Sequence, residues 1–240
     1  MSNIKILNNK EHAGLRINTE KKSEYGDNIG GAIVFPTEIL EAHKEYPIFF
    51  QKSQDTGAFQ AVALFGFRQD ENLFLTNSGW QAEYIPAIVQ REPFLIGLQE
   101  NASTGEKTPV VSVNLNSPRI AKPEEGETVF LEGGESSPLL VEATRQLDIV
   151  HDGFGASVKM FEKFLAHDLM ESFTLDIEFN DGSKYGTSMY YTISQDKLYE
   201  LSAESITELH SGGYLQLAYL ILASSSNLKR LINRRNALAK

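Results

Sequence analysis

The side chains able to do chemistry are scattered through the 240 residues, and few stand at a productive spacing. His43-Lys44-Glu45 has the His-x-acid order with which a non-haem iron facial triad begins. Two ligands two residues apart suit a strand, and here they fall on a segment that reads as helix. His151-Asp152 and His167-Asp168 are adjacent pairs, which point in different directions on a helix. Ser194-Gln195-Asp196-Lys197 and Ser226-Asn227-Leu228-Lys229 match a Ser-x-x-Lys nucleophile pattern, but no companion motif supports either. Gly153-Phe154-Gly155 lacks the third glycine and the preceding strand of a dinucleotide loop. The chain has no cysteine, which excludes thiolate catalysis, zinc–thiolate sites and iron–sulfur ligation. None of these patterns calls for a metal or a cofactor, and no catalytic residue emerges.

Polar and aromatic groups in unusual settings are more informative. Arg68 and Arg119 stand in GFRQDENLF and NSPRI, otherwise apolar or proline-bounded contexts. An arginine at a strand end either holds a carboxylate structurally or offers its planar fork to a ligand. Trp80, the only tryptophan, follows Asn77-Ser78-Gly79 on a turn. His12 and Arg16, in HAGLR, put charge beside a strand, and Tyr84 opens the segment YIPAIVQR. His12, Arg16, Arg68, Trp80, Tyr84 and Arg119 are therefore the candidate binding residues. Four others read as structural: Asp181 and Gly182 in a turn, His210 capping carbonyls at a helix end, and Asn227 where the last helix changes character.

The elements that must position these residues follow from hydrophobic spacing. Up to about residue 120 the chain is strand-rich, with GLRIN (14–18), GAIVF (31–35), PIFFQ (47–51), AVALFGF (61–67), NLFLT (72–76), FLIGL (94–98) and PVVSVNL (109–115) between turn signals. Arg68-Gln69-Asp70-Glu71 is a polar loop of hairpin length between two of them. Pro36-Thr37-Glu38 opens a short helix with ILEAHKEY as its body, and Tyr84 to Arg91 reads as another. Residues 121–136 hold five glutamates, three glycines and a proline, a surface loop and the natural boundary within a single 240-residue domain of two sub-structures, 1–120 and 136–240.

Beyond it, Ser136-Ser137-Pro138 caps a long helix whose apolar stripe runs Leu139, Leu140, Ala143, Leu147, Val150, Phe154, Val158, Phe161 and Leu165, ending near Leu169. Gly153 and Gly155 inside it mark a bend or a close approach. FTLDIEF (173–179), Asn180-Asp181-Gly182 and KYGTSMYYTI (184–193) form a hairpin. Ser202 caps a short helix to His210, and after Gly212-Gly213 a last helix runs to about Asn236. Its first half, YLQLAYLILA, is apolar nearly all round and so belongs inside a core. Ser224-Ser225-Ser226 ends the buried part, leaving Lys229, Arg230, Arg234 and Arg235 as a solvated basic end that suits the helix dipole. The fold class expected is α+β: a strand-rich N-terminal half, a long amphipathic helix, a β-hairpin and a C-terminal helical segment packed on the sheet.

The formal net charge of -10 argues against a nucleic-acid partner. No apolar run reaches the roughly 18 residues of a membrane span, so no integral membrane segment is expected. The N-terminal MSNIKILNNKEHAGLR lacks the pattern of a signal peptide, and the chain reads as cytoplasmic.

HAGLRI, EYPIFFQK, VALFGFRQDENLFL, Gly79-Trp80, YIPAIVQREPF, NSPRI, GETVFLEGGESSPLL, Asp181-Gly182 and ELHSGGYLQLAYLILASSSNLKRL together, in this order, resemble the bacterial SapC-like family. That family is named after a surface-layer-associated protein and is distinct from the transporter permease of the same name. Where the family tends to carry an Ile-Asp pair before Ser-Pro-Arg, this chain has Val113-Asn114-Leu115-Asn116. The resemblance implies a part in the surface layer or serum resistance. It also implies a setting near iron(II)/2-oxoglutarate-dependent hydroxylases, flavin-dependent tryptophan halogenases and TonB-dependent receptors, as in peptide modification or uptake. It supplies no catalytic residue. The expectation is a non-catalytic accessory protein that binds a peptide or protein partner, such as one of those hydroxylases or halogenases. The alternative is an enzyme or small-ligand sensor with a site assembled from dispersed polar residues.

Overall fold

The computed structural model describes residues 3–100 and 105–238. Its strands are β1 (Ile4–Ile6), β2 (Arg16–Ile17), β3 (Gly31–Ile33), β4 (Ile48–Lys52), β5 (Phe59–Leu64), β6 (Leu75–Thr76), β7 (Gly79–Trp80), β8 (Phe94–Glu100), β9 (Lys107–Asn114), β10 (Glu127–Thr128), β11 (Met170–Glu178) and β12 (Lys184–Ile193). Its helices are α1 (Ile39–Ala42), α2 (Ala87–Gln90), α3 (Pro138–Ala166), α4 (Gln195–Tyr199), α5 (Ala203–Ser211), α6 (Tyr214–Ser224) and α7 (Asn227–Ala237). About 34% of residues are helical and 27% lie in strands, segregated along the chain rather than alternating, which makes the class α+β. No described helix is long and apolar enough to cross a membrane.

The chain divides into two compact units that interleave in sequence. The first comprises Met1–Asn28, Leu75–Trp80 and Ala87–His151, and the second Ile29–Phe74, Gln81–Pro86 and Asp152–Lys240. Residues 121–136 therefore lie inside the first unit. They are not only a surface loop, because Glu127 and Thr128 pair with Ile17 and Arg16, and Val129 is fully buried.

In the first unit an antiparallel sheet of order β1-β9-β8 pairs Ile4 with Asn114 and Phe94 with Val113. Its core joins Phe94 and Val113 to Ile17, Val129, Leu140, Ala143 and Leu147, so the first half of α3 packs here as its spacing requires. Ser137 Oγ accepts from the Leu140 amide at 3.3 Å, and Pro138 begins the helix, as expected of a capped N-terminus. β6 and β7 form a small hairpin pairing Leu75 with Trp80, with Gly79 in the left-handed region at φ 98°.

The second unit is built on a five-stranded antiparallel sheet of order β11-β12-β4-β5-β3. The expected hairpin between AVALFGF and NLFLT does not form: β5 pairs with β3 and β4, whereas Leu75–Thr76 is the only strand left of NLFLT and pairs with β7. The hairpin of β11 and β12 does form, with Gly182 at φ 78° in its turn. Along it, Phe173 faces Tyr190 while Leu175 faces Thr187, so β12 carries one residue more than its partner. That bulge rotates Tyr190 onto the side of the sheet already occupied by Tyr185.

One sheet face is packed by the second half of α3. Phe50 meets Phe161 and Phe164 at ring distances of 5.0 and 6.0 Å, and Phe59 stacks on Phe161 at 5.7 Å. The buried stripe here runs Gly153, Met160, Phe161 and Phe164 and not through Phe154, Val158 and Leu165, which are about half exposed. Phe35 causes the shift. A methyl group on Gly153 would sit 2.3 Å from Phe35 Cγ, so the helix admits that ring only where it has no side chain, and Phe154 closes on it edge-on at 5.0 Å.

α6 packs on β12 and β4. Its inward residues are Ala218, Ile221 and Ser224, while Leu215, Leu217, Leu220 and Leu222 are only half-buried, so the apolar girdle is wider than the face that needs it. The helix expected to run unbroken to Asn236 stops at Ser224 and restarts at Asn227. Ser224, Ser225 and Ser226 each donate to the carbonyl three residues earlier, at 2.6, 2.7 and 2.9 Å, tightening the turn that breaks it. Ser224 is fully buried, and its hydroxyl also accepts the Ile48 amide at 3.0 Å.

The basic end of α7 is not merely solvated. The Arg234 guanidinium lies 4.4 Å from the Phe74 ring, and Arg235 reaches Asp181 at 3.0 Å and Glu71 at 3.5 Å.

Helix propensity favours alanine over glycine by about 1 kcal/mol at an interior position. Gly155 has nothing within 4 Å of its missing Cβ, so Gly155→Ala should raise stability by up to that amount. Gly153→Ala should instead lose about 1–3 kcal/mol, because Phe35 must be displaced. Urea midpoints of the two variants should shift in opposite directions.

Candidate functional site

The first unit holds four of the candidate residues, His12, Arg16, Trp80 and Arg119. Arg16 donates from Nε to the Glu125 carbonyl and from Nη2 to the Gly126 carbonyl, both at 2.7 Å, tying β2 to the acidic segment. His12 is buried, with Nδ1 3.2 Å from the Asn8 carbonyl in a local turn. Trp80 is 9% exposed, its ring turned inward.

Arg119 is the largest fully buried side chain, at 2% exposure, and it is paired. Its Nη2 donates to Asp27 Oδ1, and Nη1 donates to the carbonyls of Asn18 at 3.0 Å and Glu20 at 3.1 Å. Asp27 Oδ2 also accepts the Lys22 amide at 2.8 Å. One guanidinium and one carboxylate thereby hold the 18–27 loop, and the pair survives burial because its donors and acceptors are met. Lys21 Nζ stands 3.9 Å from Asp27 Oδ1 and is 16% exposed. Asp27 is already committed to Arg119, so Lys21 is the surplus cation. Burial pushes its ammonium down to about 8, Arg119 adds to the push, and Asp27 and Glu92 oppose it only in part.

In the second unit Tyr84 donates its hydroxyl to Glu38 Oε1 at 2.5 Å, and Glu38 Oε2 accepts the Phe35 amide at 2.9 Å. Tyr46 donates to the Tyr84 carbonyl. Burial, with the Glu38 carboxylate beside it, raises the Tyr84 phenol well above its ordinary range, so it acts as a fixed donor. Asn227, buried, donates to the carbonyls of His43 at 2.7 Å and Tyr46 at 3.2 Å, anchoring the start of α7. His210 is exposed, and the end of α5 is closed by the amides of Gly212 and Gly213. Asp181 accepts from Ser183 Oγ at 2.5 Å and from its amide at 3.0 Å. Those bonds, with Arg235, hold its carboxyl down at about 2. His43 turns back to the Ile39 carbonyl at 3.1 Å, and His167 faces Glu208 at 3.3 Å. Among the described residues no group of three His, Asp or Glu side chains is placed to hold a metal.

Of the six candidate binding residues, Arg68 lines a substantial cleft in the second unit. That cleft, about 550 Å³, lies on the sheet face opposite α3. Its floor crosses four strands through Gly31, Leu64, Val62 and Gln51 to Tyr190. The 66–71 loop supplies Arg68 and Gln69. β12 supplies Tyr185, Met189 and Tyr190, the last two brought together by its bulge, and the Tyr185 ring lies 5.3 Å from that of Phe67 at the foot of the loop. Phe49 and Phe173 back the Tyr190 ring at 5.7 and 6.3 Å. Burial and the adjacent Tyr185 hydroxyl push the Tyr190 phenol above its usual range. The side-chain amides of Gln51, Gln54 and Gln69, all cleft-lining residues, make no hydrogen bond among the described residues, so their donors and acceptors are unspent.

The model of the SapC family matches residues 7–231. This chain belongs to that family. No curated protein and no solved structure matches it. The SapC match takes in every strand of the five-stranded sheet and every cleft-lining residue. Three glutamines, a bulge and an exposed methionine have no motif, and sequence reasoning passed over all of them. The one available signal was the odd count of residues between the pairs of β11 and β12, and it becomes visible only once the register is known.

The Lys21 environment makes a pH-dependent contribution of definite sign. Its folded value, about 8, lies below the unfolded value of 10.5. The unfolded chain thus holds more protons between those pH values, and stability rises across that window. Below pH 8 the folded protein carries the full cost of a buried ammonium, on the order of 3 kcal/mol. Lys21→Met should therefore be more stable than the parent at pH 7, with the difference fading as pH climbs past 10. Chemical denaturation of both proteins across that range checks it.

Proposed function

We propose that this SapC protein is a non-catalytic accessory protein that binds a peptide or protein partner, and that the cleft on the five-stranded sheet receives the partner's chain. The observation that carries the reading is the lining of that cleft: unpartnered glutamine amides over an apolar floor, with tyrosines and a methionine beside them. Amide groups that both donate and accept suit the peptide backbone, and aromatic and thioether side chains adapt to varied side chains. The family resemblance supplies a setting for such a partner: a 2-oxoglutarate/iron(II) hydroxylase, a flavin-dependent halogenase, their peptide substrate, or a component of surface-layer assembly.

A specific observation favours the other reading, an enzyme or small-ligand sensor. Lys21 is an amine able to lose its proton near neutral pH beside a buried Arg119–Asp27 pair, the kind of perturbation found at functional sites. It lines no cleft described in its unit, and the peptide reading is preferred for that reason.

A displayed library of linear peptides, selected on the native protein and on a Gln51→Ala/Tyr190→Ala double variant, decides between the two. The peptide reading predicts enrichment on the native protein, falling at least tenfold on the variant. Equal recovery on both, together with a thermal shift from 2-oxoglutarate, a flavin or an amino acid, would favour the sensor.

A further inference from the structure

Arg68 gives the cleft a direction. In a chain of 32 acidic and 22 basic side chains, it is the only ionised group among the residues lining the cleft. Its side chain is 68% exposed, and its one polar contact is from Nε to Asp70 Oδ1 at 3.4 Å. An exposed pair of that length contributes little. Nη1 and Nη2 make no hydrogen bond among the described residues, which leaves the paired N–H face that matches a carboxylate.

The loop beneath Arg68 is held rigidly. The Arg68 carbonyl lies 2.1 Å from where a Gly30 Cβ would be, so the loop closes on β3 only because residue 30 is glycine. The Gly30 amide donates to the Gln69 carbonyl at 2.9 Å, and the Phe67 amide to Glu71 Oε2 at 2.8 Å. Arg235 of α7 holds the other Glu71 oxygen at 3.5 Å. A cation on a loop fixed in advance loses little freedom when it binds.

From β3 to β12 the floor crosses three strand spacings of about 4.8 Å, roughly 14 Å. Arg68 shares this floor with the glutamine amides and with Tyr185, Tyr190 and Met189, the last 67% exposed.

We infer that the cleft recognises the free C-terminal end of an extended peptide, with the terminal carboxylate on Arg68, backbone groups on the glutamine amides, and an apolar or aromatic side chain near the end against the tyrosines. This rests on the peptide-binding reading and narrows it to chain ends. Asp70 sits beside the carboxylate position and weakens it, so Asp70→Asn should bind more tightly.

The probe is a synthetic hexapeptide pool randomised over its last four positions, prepared both as the free acid and as the C-terminal amide. Affinity selection on the intact protein is read by mass spectrometry. The expected result is at least tenfold greater recovery of the free acids. Arg68→Gln should abolish that preference, Arg68→Lys should retain part of it, and Gln51→Ala should reduce both pools alike. A pool member carrying an internal glutamate should not substitute for the free terminus. Equal binding of acid and amide pools, still sensitive to Gln51→Ala, would overturn the assignment of the carboxylate and leave the peptide reading standing. If neither pool binds, the peptide reading falls and this inference with it. Circular dichroism of each variant confirms that the exposed substitutions leave the fold intact.

Discussion

The second unit depends on how Phe50, on a central strand, is buried. Its ring contacts Phe161 and Phe164 and commits one face of the five-stranded sheet to helix α3. Once that face is taken, alternation along β4 sends Phe49 and Gln51 to the other side, where the cleft lies. Burying one side chain therefore decides where the amides go. The same alternation would send Tyr190 away from Tyr185, and the extra residue in β12 reverses it. The cleft thus depends on a core contact on one face and a local irregularity on the other.

How much of this could be read from the chain depended on the range of the forces involved. The α3 cap, the β11–β12 turn and the serine triplet are local: each involves groups within a few residues of one another, and composition exposes them. The stripe of α3 was legible as far as Val150 and again at Phe161, but not at Phe154, Val158 or Leu165. Past Val150 the buried face is set by Phe35, whose position no helical spacing encodes. The interleaving of the two units lay equally beyond spacing rules, because it needs the pairing of β2 with β10 and of β3 with β5.

Arg68 and Arg119 show why residue type alone does not locate a site. Both stood out for the same reason, a guanidinium in an apolar or proline-bounded context. Arg119 finds carbonyls 101 and 99 residues earlier in the chain and a buried carboxylate, and both its terminal nitrogens are drawn into holding a loop. Arg68 finds one exposed aspartate, and most of its hydrogen-bonding capacity remains available. The difference lies entirely in distant partners. Tyr84 and Asn227 follow the pattern of Arg119, each anchored to groups far away in sequence.

The C-terminal arginines connect the core to the cleft. A basic helix end suits the dipole whether or not it touches anything, so α7 would be stable with its cations in water. Arg235 instead spans Asp181 of the β11–β12 turn and Glu71 of the Arg68 loop. Glu71 also accepts the Phe67 amide, and Phe67 packs edge-on against Phe179 and Tyr185 at 5.0 and 5.3 Å. One guanidinium thereby ties together the loop bearing the cation and the hairpin bearing the tyrosines. Such a tether adds little to folding where it is partly exposed. Its effect is to hold the charge and the aromatic rings in a fixed relation, which spares a ligand the cost of ordering them.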